Sequence, residues 1–325
     1  MKMRWYFFIL ILAMLAINLF SLHLAVFADD SITVDFIAAG IEHNASLIKD
    51  ITFNCKRVFD IKNEKDNPYK EEMDEGEWIK KGDMEYWERI EQLNNLQIIF
   101  ASTKGKTMTW IKDLTHPEDP GYGEIIIGKG KFDMYISPIE LAFGYFSSPK
   151  WPEVFRNGTA KLLGTESIDG NLCHIINCKR NPEEKWEYKI WIDTERGFQP
   201  LKIQKISPDR GVTHWYDSIK LQEFIGGIWI PVKATFHVAA QKVNVTSRSV
   251  PPIKIDYLPE SEEVRICTDI KINQGIPDEQ FIIEWTKGTS VWDRIRDRHF
   301  TIGEDISAKQ LLQELQIIEE KKPKE

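Results

Sequence analysis

The sequence predicts a mainly β protein (α+β in class), with sequential antiparallel strands in one strongly bent sheet. Two observations carry this. From Ile51 onward, short runs alternate apolar and polar residues with a period of two. Between the runs stand compact turn sequences, at Asp169-Gly170, at Asp193-Thr194-Glu195-Arg196-Gly197 and at Gly226-Gly227, of the kind that close hairpins. Helical spacing shows at 31–49, 138–146 and 306–319.

The first 28 residues read as a secretory signal. Lys2 and Arg4 form a positive start, Trp5 to Leu24 is apolar, and Val26-Phe27-Ala28 precedes Asp29-Asp30, so cleavage is expected after Ala28. An uncleaved anchor is the alternative, since about 20 apolar residues suffice to span a bilayer. The expected location is the periplasm. Residues 31–49 follow as a helix, with Ile32, Phe36, Ile37, Ile41, Ala45 and Ile48 along one stripe. In "ITFNCKRVFD", Ile51, Phe53, Cys55, Arg57 and Phe59 then share one face of a strand. The charged stretch 61–75 reads as an exposed loop.

Short strands come next, in "GEWIKKGDMEYWERI", "LQIIFAS", "KGKTMTWIKDL" and "EIIIGKGKFDMYI". In "SPIELAFGYF", Ser137 suits an N-cap, Pro138 the first helical position and Glu140 a capping box. That short helix is apolar nearly all round, so it must be enclosed. Strands resume with "TAKLLGTESIDGNLCHIINCKR" and "KWEYKIWIDTERGFQPLKIQKI", continue through "EEVRICTDIKI", and end at "FIIEWTKGTSVWD" before a C-terminal helix over 306–319.

Without the signal, 40 basic residues face 50 acidic ones, a net charge of −10. Such a chain is a poor partner for a phosphate backbone, so nucleic acid is not an expected ligand. Four cysteines, Cys55, Cys173, Cys178 and Cys267, are too few for a disulfide scaffold. "CHIINC" raises a metal site, but in a strand Cys173 points away from His174 and Cys178, so no metal and no cofactor are expected. G-x-S-x-G, H-E-x-x-H, P-loop and G-x-G-x-x-G motifs are absent. His214 near Asp217, and His299 near Asp293 and Asp297, lack a nucleophile at a telling position. A catalytic role is therefore not expected.

The order of motifs resembles the periplasmic lipoprotein carriers LolA and LolB and the RseB type. An N-terminal helix runs into "IKDITFNCKRVF"; "GEWIKKG", "KGKTMTW", "SPIELAF", "SIDGNLCHIINCK", "YKIWIDTERGFQPLKIQKI" and "FIIEWTKGTSVWD" follow in the family's order. The resemblance implies a curved, incomplete antiparallel β-barrel with N-terminal and internal helices on its concave face. It implies a half-barrel domain over 29–293, between the signal at 1–28 and an extension with a helix at 294–325 that the family lacks. Where the carriers place a lid-holding arginine, this chain has Lys81, which cannot reproduce its bidentate contacts.

The expected function is that of an exported, monomeric carrier or chaperone-like protein. It would bind a lipid, or the acyl chains of a lipoprotein, through Phe53, Trp78, Trp110, Leu141, Phe143 and Phe146, with Lys81 at the lid. The alternative is a non-catalytic envelope sensor whose apolar face binds a protein partner. Ordinary core is the other reading of the 138–146 helix.

Overall fold

The computed structural model describes residues 32–61, 73–92, 94–128, 150–246, 254–258 and 260–315. Among the described residues, fifteen strands form one open, curved sheet in the order β17-β16-β6-β5-β4-β3-β2-β1-β15-β12-β11-β10-β9-β8-β7. β1 (Asp50–Ile61), β2 (Met73–Lys81), β3 (Met84–Glu91), β4 (Leu96–Thr103), β5 (Lys106–Asp113) and β6 (Tyr122–Ile127) make the first meander. The second comprises β7 (Lys161–Ile168), β8 (Asn171–Cys178), β9 (Glu187–Asp193), β10 (Gln199–Ser207), β11 (Gly211–Phe224) and β12 (Ile228–Val238). β13 (Gln241–Thr246) and β14 (Lys254–Leu258) pair separately. β15 (Ser261–Ile272) lies between β12 and β1 and sutures the meanders. β16 (Ser290–Asp293) and β17 (Arg298–Thr301) extend the other edge.

All three expected hairpins form, as β7–β8, β9–β10 and β11–β12. At the first, Asp169 and Gly170 both take positive φ, 50° and 82°, the backbone a two-residue hairpin loop requires. One pair departs from the antiparallel expectation: β16 runs parallel to β6. The chain reaches β16 through a long crossing segment, which frees it from the direction a tight turn would impose. The boundary drawn at residue 293 falls inside the β16–β17 hairpin, and Ile302, Leu311 and Leu312 beyond it share a core with Met108 and Ile125.

Helix α1 (Val34–Ser46) starts at Thr33, whose hydroxyl accepts the Phe36 N–H at 3.1 Å. It buries Ile37, Ala38, Ile41 and Asn44, while Phe36 is 50% exposed. Asn44 belongs to the buried face because its amide donates to the Trp229 carbonyl at 3.2 Å. Gly40 allows the helix to press on Phe198, whose ring would lie 2.4 Å from any Cβ there. Helix α2 (Trp151–Phe155) packs beside α1, and both cover Ile176, Tyr188, Ile190, Ile203 and Tyr216 on one face of the second meander.

The opposite face of the first meander is covered by the C-terminal segment. Ile283, Trp285, Val291 and helix α3 (Ala308–Glu314) pack against Ala101, Met108, Trp110 and Ile125. Two turns use the same device. Asp193 accepts the N–H groups of Glu195 and Arg196 and the Arg196 side chain; Asp293 does the same for Ile295 and Arg296. Both carboxylates are buried, which turn-forming hydrogen bonds and a guanidinium make tolerable.

Candidate functional site

The period of two in β1 turns Ile51, Phe53 and Cys55 to the face that carries α1. Register then sets the next rings. Trp78 lies opposite Phe53, Trp87 opposite Trp78, and Phe100 opposite Trp87. The centroids are 5.9, 6.1 and 5.6 Å apart, giving an aromatic row across four strands. Such cross-strand pairs add about 0.5–1.5 kcal/mol each beyond their buried area. The Arg89 guanidinium lies 5.7 Å from the Trp87 ring centroid, on the same face.

Beside the row, a cleft of about 440 Å³ opens between α1, α2, the start of β1 and the end of β2. Ile41, Ala45, Ile48, Ile51 and Pro152 are its apolar lining. That volume is within the usual range of small-molecule sites. Ile51 is two residues from Phe53, and Lys80 two residues from Trp78, so cleft and row lie on one continuous face. Charged groups ring it. Glu42 is taken up by Arg156 in a two-pronged contact of 2.5 and 2.8 Å, which holds its carboxyl below the usual range. Asp50 accepts the backbone N–H groups of Gln274 and Gly275 at 2.7 and 3.0 Å. With those two carboxylates engaged, Lys49, Lys80 and Lys150 stand on the lining against Asp83 and Glu153.

The structure brings together two of the six residues read as ligand-binding, Phe53 and Trp78. Trp110 is on the opposite face. It pairs with Ile99 and Gly123, whereas the row passes from Phe100 to Thr109, and its indole N–H donates to the Pro120 carbonyl at 3.0 Å. Leu141, Phe143 and Phe146, with the helix expected at 138–146, lie outside the described residues, as do residues 1–28. Lys81 is on the face of Ile79, away from α1. It donates to the Ile276 carbonyl at 2.7 Å and pairs with Asp278 at 2.6 Å, tying down the 3-10 turn Asp278–Phe281. Trp87 and Phe100 complete the row. Their alternation was visible in sequence, but which strands would be neighbours was not.

The histidine pairing also changes. His214 faces the helix side, and burial, then the charges of Lys205 and Arg210, push its pKa down to about 4. Asp217 accepts instead from the Trp215 indole at 3.1 Å and meets the His237 ring at 3.1 Å. Trp215 and His237 stack at 4.6 Å, a closed arrangement on the outer face. Among the described residues, no group of His, Cys, Asp and Glu is placed to hold a metal ion, and no helix is long and apolar enough to cross a membrane.

No protein-family model and no curated protein matches the sequence. Among solved structures, the fold is shared with a DUF1329 family protein from Desulfovibrio piger. The TM-score is 0.50 at 13% identity, covering 76% of this chain and 95% of that one. A LolA superfamily protein from Nitrosomonas europaea is similar at a TM-score of 0.45 and 12% identity, over 79% of this chain and 100% of that one. At these identities the likeness is one of fold.

Proposed function

We propose that this chain is an exported, non-catalytic carrier that holds the acyl chain of a lipid or lipidated protein. The acyl chain would lie in the cleft between α1 and β1–β2 and reach Trp78, the part-exposed ring of the row. The observation that supports this is the joining of an apolar-lined cleft to an aromatic row on one face. Burying an acyl chain gains about 0.8 kcal/mol per CH₂. Ten methylenes thus give on the order of 8 kcal/mol before the ordering of chain and lining is subtracted. Little polar chemistry is needed for such binding. The secretory signal read at residues 1–28 supports an envelope setting.

The test is a fluorescent long-chain fatty acid titrated against the protein and its Ala45→Trp variant. Ala45 is half-buried on the cleft lining, so the larger ring fills the cleft without entering the core beneath α1. The expected result is a melting temperature close to the parent's and a loss of affinity of tenfold or more. Equal binding by a folded variant would refute the site.

A further inference from the structure

β1 and β15 pair antiparallel, and their register sets Cys55 directly opposite Cys267. Both side chains join the apolar cluster of Ile51, Phe53, Ile228 and Ile230; Cys267 is buried and Cys55 half-buried. Directly opposed residues of an antiparallel pair have Cα atoms about 4.5 or 5.5 Å apart, according to the pair type. Both values lie within the roughly 4.4–6.8 Å that a disulfide spans. Opposed side chains also leave the sheet on the same side.

We propose that Cys55 and Cys267 form a disulfide when the chain meets a disulfide oxidant, stapling the seam between the two meanders. The oxidant's class is a small or protein disulfide, such as oxidised glutathione. The Cys55 thiolate, the more exposed of the two, attacks one oxidant sulfur; a mixed disulfide forms and one oxidant thiolate leaves. The Cys267 thiolate then attacks the Cys55 sulfur and expels the second. Two electrons pass to the oxidant, which departs as two thiols, carrying the two protons that the cysteines lose.

The other cysteines do not compete. Cys173 and Cys178 lie on one strand five residues apart, about 16 Å by strand rise. They also sit in different clusters, one with Trp191 and the other with Ile176. Their strand is five places from β15, about 24 Å across the sheet. Burial pushes the Cys173 thiol up to about 11 and the Cys178 thiol up to about 12, so both are poor nucleophiles. The seam is where a bond matters, because β1–β15 joins segments far apart in sequence while most other neighbours are sequential. The proposal does not depend on what the cleft binds.

The test is thiol mapping of the folded chain after equilibration in oxidised glutathione. The sample is quenched with an alkylating reagent in denaturant, digested without reduction and analysed by mass spectrometry. The expected product is a peptide containing Cys55 joined to one containing Cys267, two hydrogens lighter than their sum, with Cys173 and Cys178 alkylated. Cys55→Ser and Cys267→Ser should each abolish that species, and the double variant Cys173→Ser/Cys178→Ser should retain it. Alkylation of Cys55 and Cys267, a persistent glutathione adduct on Cys55, or a link involving Cys173 or Cys178 would each overturn the proposal.

Discussion

Trp78 and Trp87 face each other across β2 and β3 with ring centroids 6.1 Å apart, and this contact makes one aromatic row of two strand pairs. Phe53 stacks on Trp78 from one side and Phe100 on Trp87 from the other. The energetic consequence is coupling between neighbours. A double-mutant cycle on Trp78→Leu and Trp87→Leu, read by urea unfolding, is expected to show an interaction energy of about 0.5–1.5 kcal/mol. Strict additivity would mean the rings are merely neighbours.

Trp87 is 5% exposed, so Trp87→Ala should cost about 3–5 kcal/mol of stability, the range for large-to-small changes in a core. Trp78, only half-buried, should cost less on truncation yet weaken fatty-acid uptake. Measuring melting and uptake on both variants separates the two contributions. Equal stability losses would contradict the difference in burial.

The lysines on the cleft lining should respond to the head group rather than to the chain. Lys49→Glu/Lys80→Glu is expected to weaken an anionic amphiphile relative to a neutral one of equal chain length. The parent's preference for the anionic amphiphile should fall as salt rises from 0.05 to about 0.5 M, where screening shortens to a few ångströms. A ratio of affinities unmoved by charge reversal and by salt would remove the lysines from the site.

Asp193 is 2% exposed and holds two backbone N–H groups and the Arg196 guanidinium. Asp193→Ala leaves these donors without their acceptor in a buried turn, and should destabilise by about 3 kcal/mol. Asp193→Asn should lose less, because its amide oxygen keeps an acceptor in place. Denaturant titration of the two variants checks the order.

His214 should give part of the chain's acid sensitivity. Its folded pKa, about 4, lies below the unfolded value near 6.5, so the unfolded state binds the proton more readily. Stability from this group is therefore fully present above pH 6.5 and is lost as pH falls toward 4. His214→Gln should flatten the dependence of melting temperature on pH in that window. An unchanged slope would show that His214 is as readily protonated in the folded chain as in the unfolded one.

Gly40 is the point where α1 meets the sheet most closely, with the Phe198 ring 2.4 Å from the position of a Cβ. Gly40→Val should force helix and ring apart and lower the melting temperature, although valine is tolerable in an isolated helix. A simultaneous Phe198→Ala change is expected to restore part of the loss.

Much of this molecule follows from local chemistry. The alternation of Ile51, Phe53 and Cys55, the Asp169-Gly170 turn and the spacing of Ile37 and Ile41 each act within a few residues, so strands, hairpins and α1 were legible in sequence. Parity between strands was not. Alternation places Trp110 opposite to Thr109 within β5, but pairing with β4 decides which of them continues the row from Phe100, and a one-residue difference in register exchanges them. The same holds for contacts between distant segments. Lys81 reaches the Ile276 carbonyl across 195 residues, Asn44 is buried because Trp229 offers it an acceptor, and Cys55 meets Cys267 because β15 inserts between β12 and β1. Local propensity carries no information about which distant strand becomes a neighbour. Only burial of whole faces, reached on folding, selects that arrangement, and with it the cleft, the row and the seam.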